Sequence, residues 1–448
     1  MFLPLMPFPA TTATPSHAPE PEDAFSLWAF RAILFYLVIA YVQPQNRFVF
    51  LWPLHIADLA FAATVGLHLV ACLRKGKPLV RFGPATILSL LLLFFGFLSQ
   101  YTGRFQVSGA WNPYIDIITK NAVLAILLEA MLTNPKRVWA TQMVILLATL
   151  WWMKSGLSLV HAGATYGSGG RFAGGAISLI ENPNGFAYML CMYLPLYLYV
   201  FECAKRKWER VLGLALAFAD VFLVFKTGSR TGLVTLVPLG MFILFRFGRT
   251  NRKGLMAALV AIAVLFPLTG EQNMARFRTI PAQIRHFLGK ETSTGEPARP
   301  MTQDEQSADE RKAKNRDTWA LIKKYPLFGV GIWPASAAFR EFPMADGQVH
   351  CETLMAGRQM GLVGISLHWG FILTLVIGGG IVRHRAGSWS AAANLGRVFQ
   401  LQAAAIAIGG SFCPLPWGIP TLAAAACASA LPGFFPSARP VHEDGFAP

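Results

Sequence analysis

Apolar runs of about 20 residues recur along almost the whole chain, each long enough to cross a hydrocarbon core of roughly 30 Å. In such a medium every backbone N–H and C=O must be satisfied internally, so only helices and closed barrels can span it. A barrel would show alternating segments of about 10 residues. The runs here are continuous, and only 14% of the 448 residues are charged against 54% hydrophobic. The sequence therefore predicts an all-α polytopic membrane protein. Twelve spans can be drawn: 26–42, 50–72, 84–101, 112–132, 138–153, 184–203, 209–226, 231–247, 254–270, 353–382, 397–412 and 417–434. The segment 353–382 is long enough to include an interfacial turn.

One stretch breaks the pattern. Residues 271–350 form a long loop in which basic and acidic side chains nearly balance. The organisation expected is a tail at 1–25, nine helices over 26–270, a large loop at 271–352, three helices over 353–434 and a tail at 435–448. The Pro- and Thr-rich tail lacks a basic start, so it does not read as a cleaved signal peptide.

The net charge of +16 points to nucleic acid or a membrane surface. Its distribution rejects nucleic acid, because Lys and Arg gather in the short connections between spans. One alternate set of connections carries seventeen of them, including Arg74, Lys136, Lys205, Arg246 and Arg383; the other short ones carry six. Cytoplasmic loops hold the excess of Lys and Arg, so both termini are expected in the cytoplasm and the large loop outside. Arg171 and Arg230 then lie on the side where positive charge is depleted, and become candidates for binding an anion. The six cysteines are scattered, with no metal or disulfide spacing.

Four outward groups stand out. The first is G-R-F around Arg171, followed by N-P-N-G-F-A from Asn182, a turn and helix start. A capped loop with a solvated Arg is its plain alternative. The second is T-G-S-R-T-G, residues 227–232, where Arg230 is either a phosphate fork or a snorkelling anchor. The third lies in the loop: Arg276, Arg278 and Arg285, then a helix expected over 301–324 with Arg311, Asn315 and Trp319 on one face. Tyr325-Pro326 should end that helix, with Leu327–Gly331 as a buried turn. The fourth is His350, whose ring can accept a proton near neutral pH.

Taken in order, these pieces resemble the O-antigen ligase and polymerase superfamily of bacterial envelope glycosyltransferases, and within it the O-glycosylation ligases. The residues that carry the resemblance are G-R-F with N-P-N-G-F-A, T-G-S-R-T-G, A-R-F-R-T-I at 275–280, S-A-D-E-R at 307–311, Trp319, Y-P-L-F-G-V-G at 325–331, and His350 with Leu354, Gly361 and Gly364. It covers residues 165–385; the first 150 match in hydropathy alone. Two positions depart from the family: Cys351 stands where Asn often follows the His, and Gln359 where an acidic residue precedes the paired glycines.

The resemblance implies a GT-C-like helical enzyme of the inner membrane. Such enzymes move a glycan from a polyprenyl (undecaprenyl) diphosphate carrier to an acceptor hydroxyl on the outer face, without a metal or other cofactor. It makes His350 the candidate base and Arg171, Arg230 and Arg311 the diphosphate-binding candidates, with Arg316, Arg276 and Arg278 in reserve. The acceptor would be lipid A core, a protein or another glycan. A polymerase of the same superfamily is the nearest alternative. A lipid-linked glycan transporter is a different class, to which Asp58, Asp116 and Asp220 within spans would belong.

Overall fold

The computed structural model describes residues 23–102, 105, 113–163, 173, 181–250, 271–278, 303–387, 390–413 and 416–435. Its elements are helical, with no strand among the described residues. They are α1 (24–42), α2 (56–75), α3 (84–102), α4 (113–131), α5 (135–161), α6 (183–203), α7 (207–226), α8 (230–250), α9 (271–278), α10 (303–324), α11 (352–385), α12 (391–409) and α13 (419–430). A helix stands at each apolar segment expected to span, except 254–270, which lies outside the described residues together with 1–22 and 436–448. Among the described residues, six helical segments are long and apolar enough to cross a membrane by length and composition: 24–46, 49–75, 84–101, 135–161, 183–203 and 352–385. The chain is an all-α, multi-pass membrane protein.

Local chemistry sets the helix starts. Asn134 and Asn182 each precede a proline and accept the amide three residues on, Arg137 N at 2.9 Å and Gly185 N at 2.8 Å. An Asn cap satisfies one of the open N–H groups, and proline at the first position lacks the donor that would be orphaned there. The start of α3 borrows its cap from α4: the fully buried Glu129 accepts from Thr86 N at 2.7 Å and also holds Ser429 of α13.

In packing, α1 lies on α2, α6 on α7, and α11 on α12, while α12 also reaches α6 and α8. Three aromatic residues of the main core pair their polar ends: Tyr41 and Tyr193 share a 2.6 Å hydrogen bond, and Trp152 Nε1 donates to Tyr41 O at 2.7 Å. A second, separate core belongs to the long loop before α11, built from Leu321, Val330, Ala338, Phe339 and Ala345. The loop is therefore a small folded unit in its second half.

The helix expected over 301–324 is α10, and Tyr325-Pro326 ends it. The turn after it differs from expectation: Val330 is buried, but Leu327 and Phe328 are exposed, at 63% and 36%. The turn is fixed by backbone contacts rather than by burial of its side chains. It docks on a break in α11, where Met360 (φ −135°, ψ 21°) and Gly361 (φ 62°, ψ −148°) leave the helical region. The carbonyls freed there accept Val330 N at 2.9 Å (Arg358 O) and Gly331 N at 3.2 Å (Gln359 O), and Leu362 N donates to Pro326 O at 2.6 Å. A side chain at Gly329 would meet Arg358 O at 2.4 Å, and one at Gly361 would meet Pro326 O at 2.3 Å. The glycines of Y-P-L-F-G-V-G and of the following helix are required by this close approach.

Candidate functional site

The N-P-N-G and T-G-S-R-T-G segments meet. Thr227 closes α7 by donating to Val224 O at 2.7 Å, and Gly228 turns the chain at φ +58°. Ser229 then caps α8: its hydroxyl accepts from Gly232 N at 3.2 Å and donates to Asn184 Oδ1 at 2.8 Å. Gly232 has no room for a side chain, because a Cβ would lie 2.7 Å from that of Ala187 on α6. This frame sets Arg230, half-buried, at the first position of α8 beside the start of α6. Short helix α9 joins the frame. Asn273 is buried and donates to Lys226 O at 3.2 Å, and the Phe277 ring packs edge-on against Phe225 at 6.5 Å.

His350 lies half-buried immediately before α11. Its imidazole is held below its ordinary value, first by burial and then by the nearby charges of Arg311 and Lys314, with Glu310 opposing. The neutral ring, able to accept a proton, is thereby favoured. Lys314 pairs with Glu310 at 2.7 Å and holds that carboxyl below its usual range. Arg311 is half-buried and acts electrostatically on both His350 and Cys413 beyond α12.

Beneath His350 lies a buried polar layer that sequence reasoning did not find. Glu352 is 1% exposed, lies against Tyr188 of α6, and sits 3.8 Å from His368 Nε2. Gly409 and Gly410 make the space, since a Cβ on either would strike the Tyr188 ring or the Glu352 carboxylate. This layer joins the start of α11 to the helix that opens with N-P-N-G. Arg358, also buried, donates to Ala345 O at 2.9 Å and Gly347 O at 2.6 Å and lies over the Phe339 ring. It ties the segment before His350 to α11. A carboxylate at the head of an apolar helix, where charge is costly, was the one signal that could have pointed to Glu352.

The two departures have physical readings. Cys351 occupies the cap of α11 in an extended conformation without a capping hydrogen bond, and burial pushes its thiol up. Asn is a preferred cap and Cys is not. Gln359 is buried and accepts from Trp417 Nε1 at 2.8 Å, while its backbone oxygen takes the Ser99 hydroxyl at 2.7 Å. It binds α3, α11 and the approach to α13 together.

Of the residues singled out in the sequence, Arg311 and His350 are brought together, and Arg230 stands in the N-P-N-G frame. The Arg316 side chain is 78% exposed and pairs with Asp317 at 3.4 Å. Arg171 and Arg285 lie outside the described residues, as do the side chains of Arg276 and Arg278 on α9. Among the described residues no group of three or more His, Cys, Asp and Glu side chains is arranged to hold a metal ion.

Two family models match the chain. Residues 213–369 match the O-antigen ligase family, from α7 through His350 to the first half of α11. Residues 27–205 match a family of unknown function (DUF5935), covering α1 to α6. No curated protein matches the chain.

Proposed function

We propose that this chain, a member of the O-antigen ligase superfamily by its residues 213–369, is a glycosyltransferase of the bacterial inner membrane. It moves a glycan from a polyprenyl (undecaprenyl) diphosphate carrier to an acceptor hydroxyl on the periplasmic face. The topology that goes with this reading has twelve spans, both termini in the cytoplasm and residues 271–352 outside.

The observation that carries the proposal is the placing of His350 at the head of α11, half-buried and within reach of the Arg311 charge, both of which hold its imidazole below the ordinary value. Its imidazole takes the proton of the acceptor hydroxyl as that oxygen attacks the anomeric carbon. The bond from that carbon to the diphosphate oxygen breaks, and its electron pair leaves with the diphosphate. Arg230 and Arg311, with Arg171 from the first glycine-rich loop, meet the growing negative charge with fixed donors. Arg276, Arg278 and Arg316 are reserves for that role. Attack from the face opposite the diphosphate inverts the anomeric configuration. The acceptor is lipid A core, a protein hydroxyl or a second carrier-linked glycan; the last makes the protein a polymerase.

Two of the three carboxylates on which a transporter reading would rest are paired. Asp58 and Asp116 both pair with Lys120, at 2.7 and 2.8 Å, so neither is an open charge in a path. Asp220 is fully buried, without a hydrogen-bond partner among the described residues.

The test is the surface-glycan profile of a deletion strain complemented with wild type or His350→Ala at matched membrane levels. The transferase reading expects the deletion to lose a glycan conjugate and build up a carrier-linked intermediate, with rescue by wild type alone. Full rescue by His350→Ala removes the general base from the mechanism.

A further inference from the structure

A crevice of about 430 Å³ opens between α1 and α5, away from the helices that carry His350 and Arg230. The two helices run parallel: Arg137 near the start of α5 reaches Ser26 near the start of α1 at 3.2 Å, and Trp152 reaches Tyr41 at their far ends. Val38 and Val42 line one wall, and Leu147, Ala148, Leu150, Trp151 and Lys154 the other. From Leu147 to Lys154 a helix rises about 10 Å, less than half of a roughly 30 Å hydrocarbon core. The crevice is thus an apolar slot within one leaflet.

The α5 wall ends in a cation. Lys154 lies 5.1 Å from the centre of the Trp151 ring and Arg47 5.4 Å from the same centre. Neither meets a carboxylate among the described residues. Arg47 leads into an exposed apolar segment with Phe48, Phe50 and Trp52 at its surface. Aromatic side chains of this kind settle at the level of lipid headgroups. Two cations on one indole, with no carboxylate partner among the described residues, beside a slot as deep as part of one leaflet, complement a lipid with an anionic head.

We propose that this crevice is a binding site for an anionic phospholipid, with one acyl chain between α1 and α5 and the phosphate against Arg47 and Lys154. In the topology given above, the lipid comes from the outer leaflet. The site is independent of the transferase reading.

The test is native mass spectrometry of the full chain in mild detergent, titrated with phosphatidylglycerol or phosphatidylcholine. Wild type is expected to prefer phosphatidylglycerol. The double variant Arg47→Gln/Lys154→Gln should bind it about 30-fold more weakly, from about 1 kcal/mol for each basic side chain near an anionic lipid. Val42→Phe, which fills the slot and leaves the charges alone, should weaken it as well. Equal binding of the two lipids by wild type, as expected of cations that only snorkel, overturns the proposal. So does unchanged binding by either variant. Farnesyl diphosphate is the remaining arm: if it displaces phosphatidylglycerol from wild type, the site serves the prenyl carrier and the phospholipid assignment is wrong.

Discussion

Gly361→Ala is expected to unseat the segment after α10 from α11. Gly361 sits at φ 62° and ψ −148°, a region open essentially to glycine, where another residue costs about 1–3 kcal/mol. The added methyl would lie 2.3 Å from Pro326 O and 2.7 Å from Leu327 C and O, all backbone atoms with no side-chain freedom to give way. Relief requires Pro326–Gly331 to lift from the helix, which breaks the bonds of Val330, Gly331 and Leu362. Each such bond contributes about 0.5–1.5 kcal/mol net. The total is on the order of 3 kcal/mol or more. The control is Gly347→Ala, also at positive φ (+81°) but with nothing within 4 Å of its Cβ; it should cost only about 1 kcal/mol. Thermal unfolding in detergent and limited proteolysis between α10 and α11 read the difference. If Gly361→Ala melts with Gly347→Ala and resists protease equally, the docking does not hold the loop.

Two further outcomes are expected. Because burial and two cations depress the His350 pKa, the neutral base persists below the ordinary value near 6.5, and kcat/KM falls only as pH drops through the depressed value. Lys314→Gln removes one cation and frees Glu310, both of which raise that pKa, so the acid limb should move to higher pH; a limb that stays put or moves down contradicts the assignment. Cys351→Asn supplies the missing cap of α11 and should raise thermal stability by about 1 kcal/mol, whereas an unchanged or lower melting point shows that the Cys351 position does not govern the helix start.

Much of the fold was readable because hydrocarbon imposes a local rule. A segment must be apolar over about 20 residues wherever it spans, and that is visible without knowing its neighbours. The helix start at Asn182-Pro183 was readable for the same reason, because its cap acts within one turn. The turn at 327–331 was misread because an apolar run inside a charged loop looks like core, and no local signal says that backbone rather than side chains is buried there. Glu352 was passed over because its partners, Tyr188 and His368, come from distant points on the chain, and a carboxylate at the end of an apolar run reads as a boundary charge. Arg358 was missed similarly, since the carbonyls it holds belong to an irregular segment.

The motifs divide into a frame and a reacting pair. Within T-G-S-R-T-G, five of the six positions serve geometry: Thr227 ends a helix, Gly228 turns, Ser229 caps and ties to Asn184, and Thr231 and Gly232 sit in the first turn of α8 against α6. Only Arg230 carries charge. In the stretch from Tyr325 to Gly364, the glycines and the Arg358, Gln359 and Trp417 contacts likewise build the seat on which His350 stands. This division explains why Cys351 and Gln359 can depart from the family pattern. Both act on the frame, one at a helix cap and one as acceptor for an indole N–H, and a side-chain amide accepts that hydrogen bond as a carboxylate would while adding no buried charge. Neither substitution touches the His350 imidazole or the Arg311 charge beside it, so the chemistry proposed for the site depends on groups that the departures leave in place.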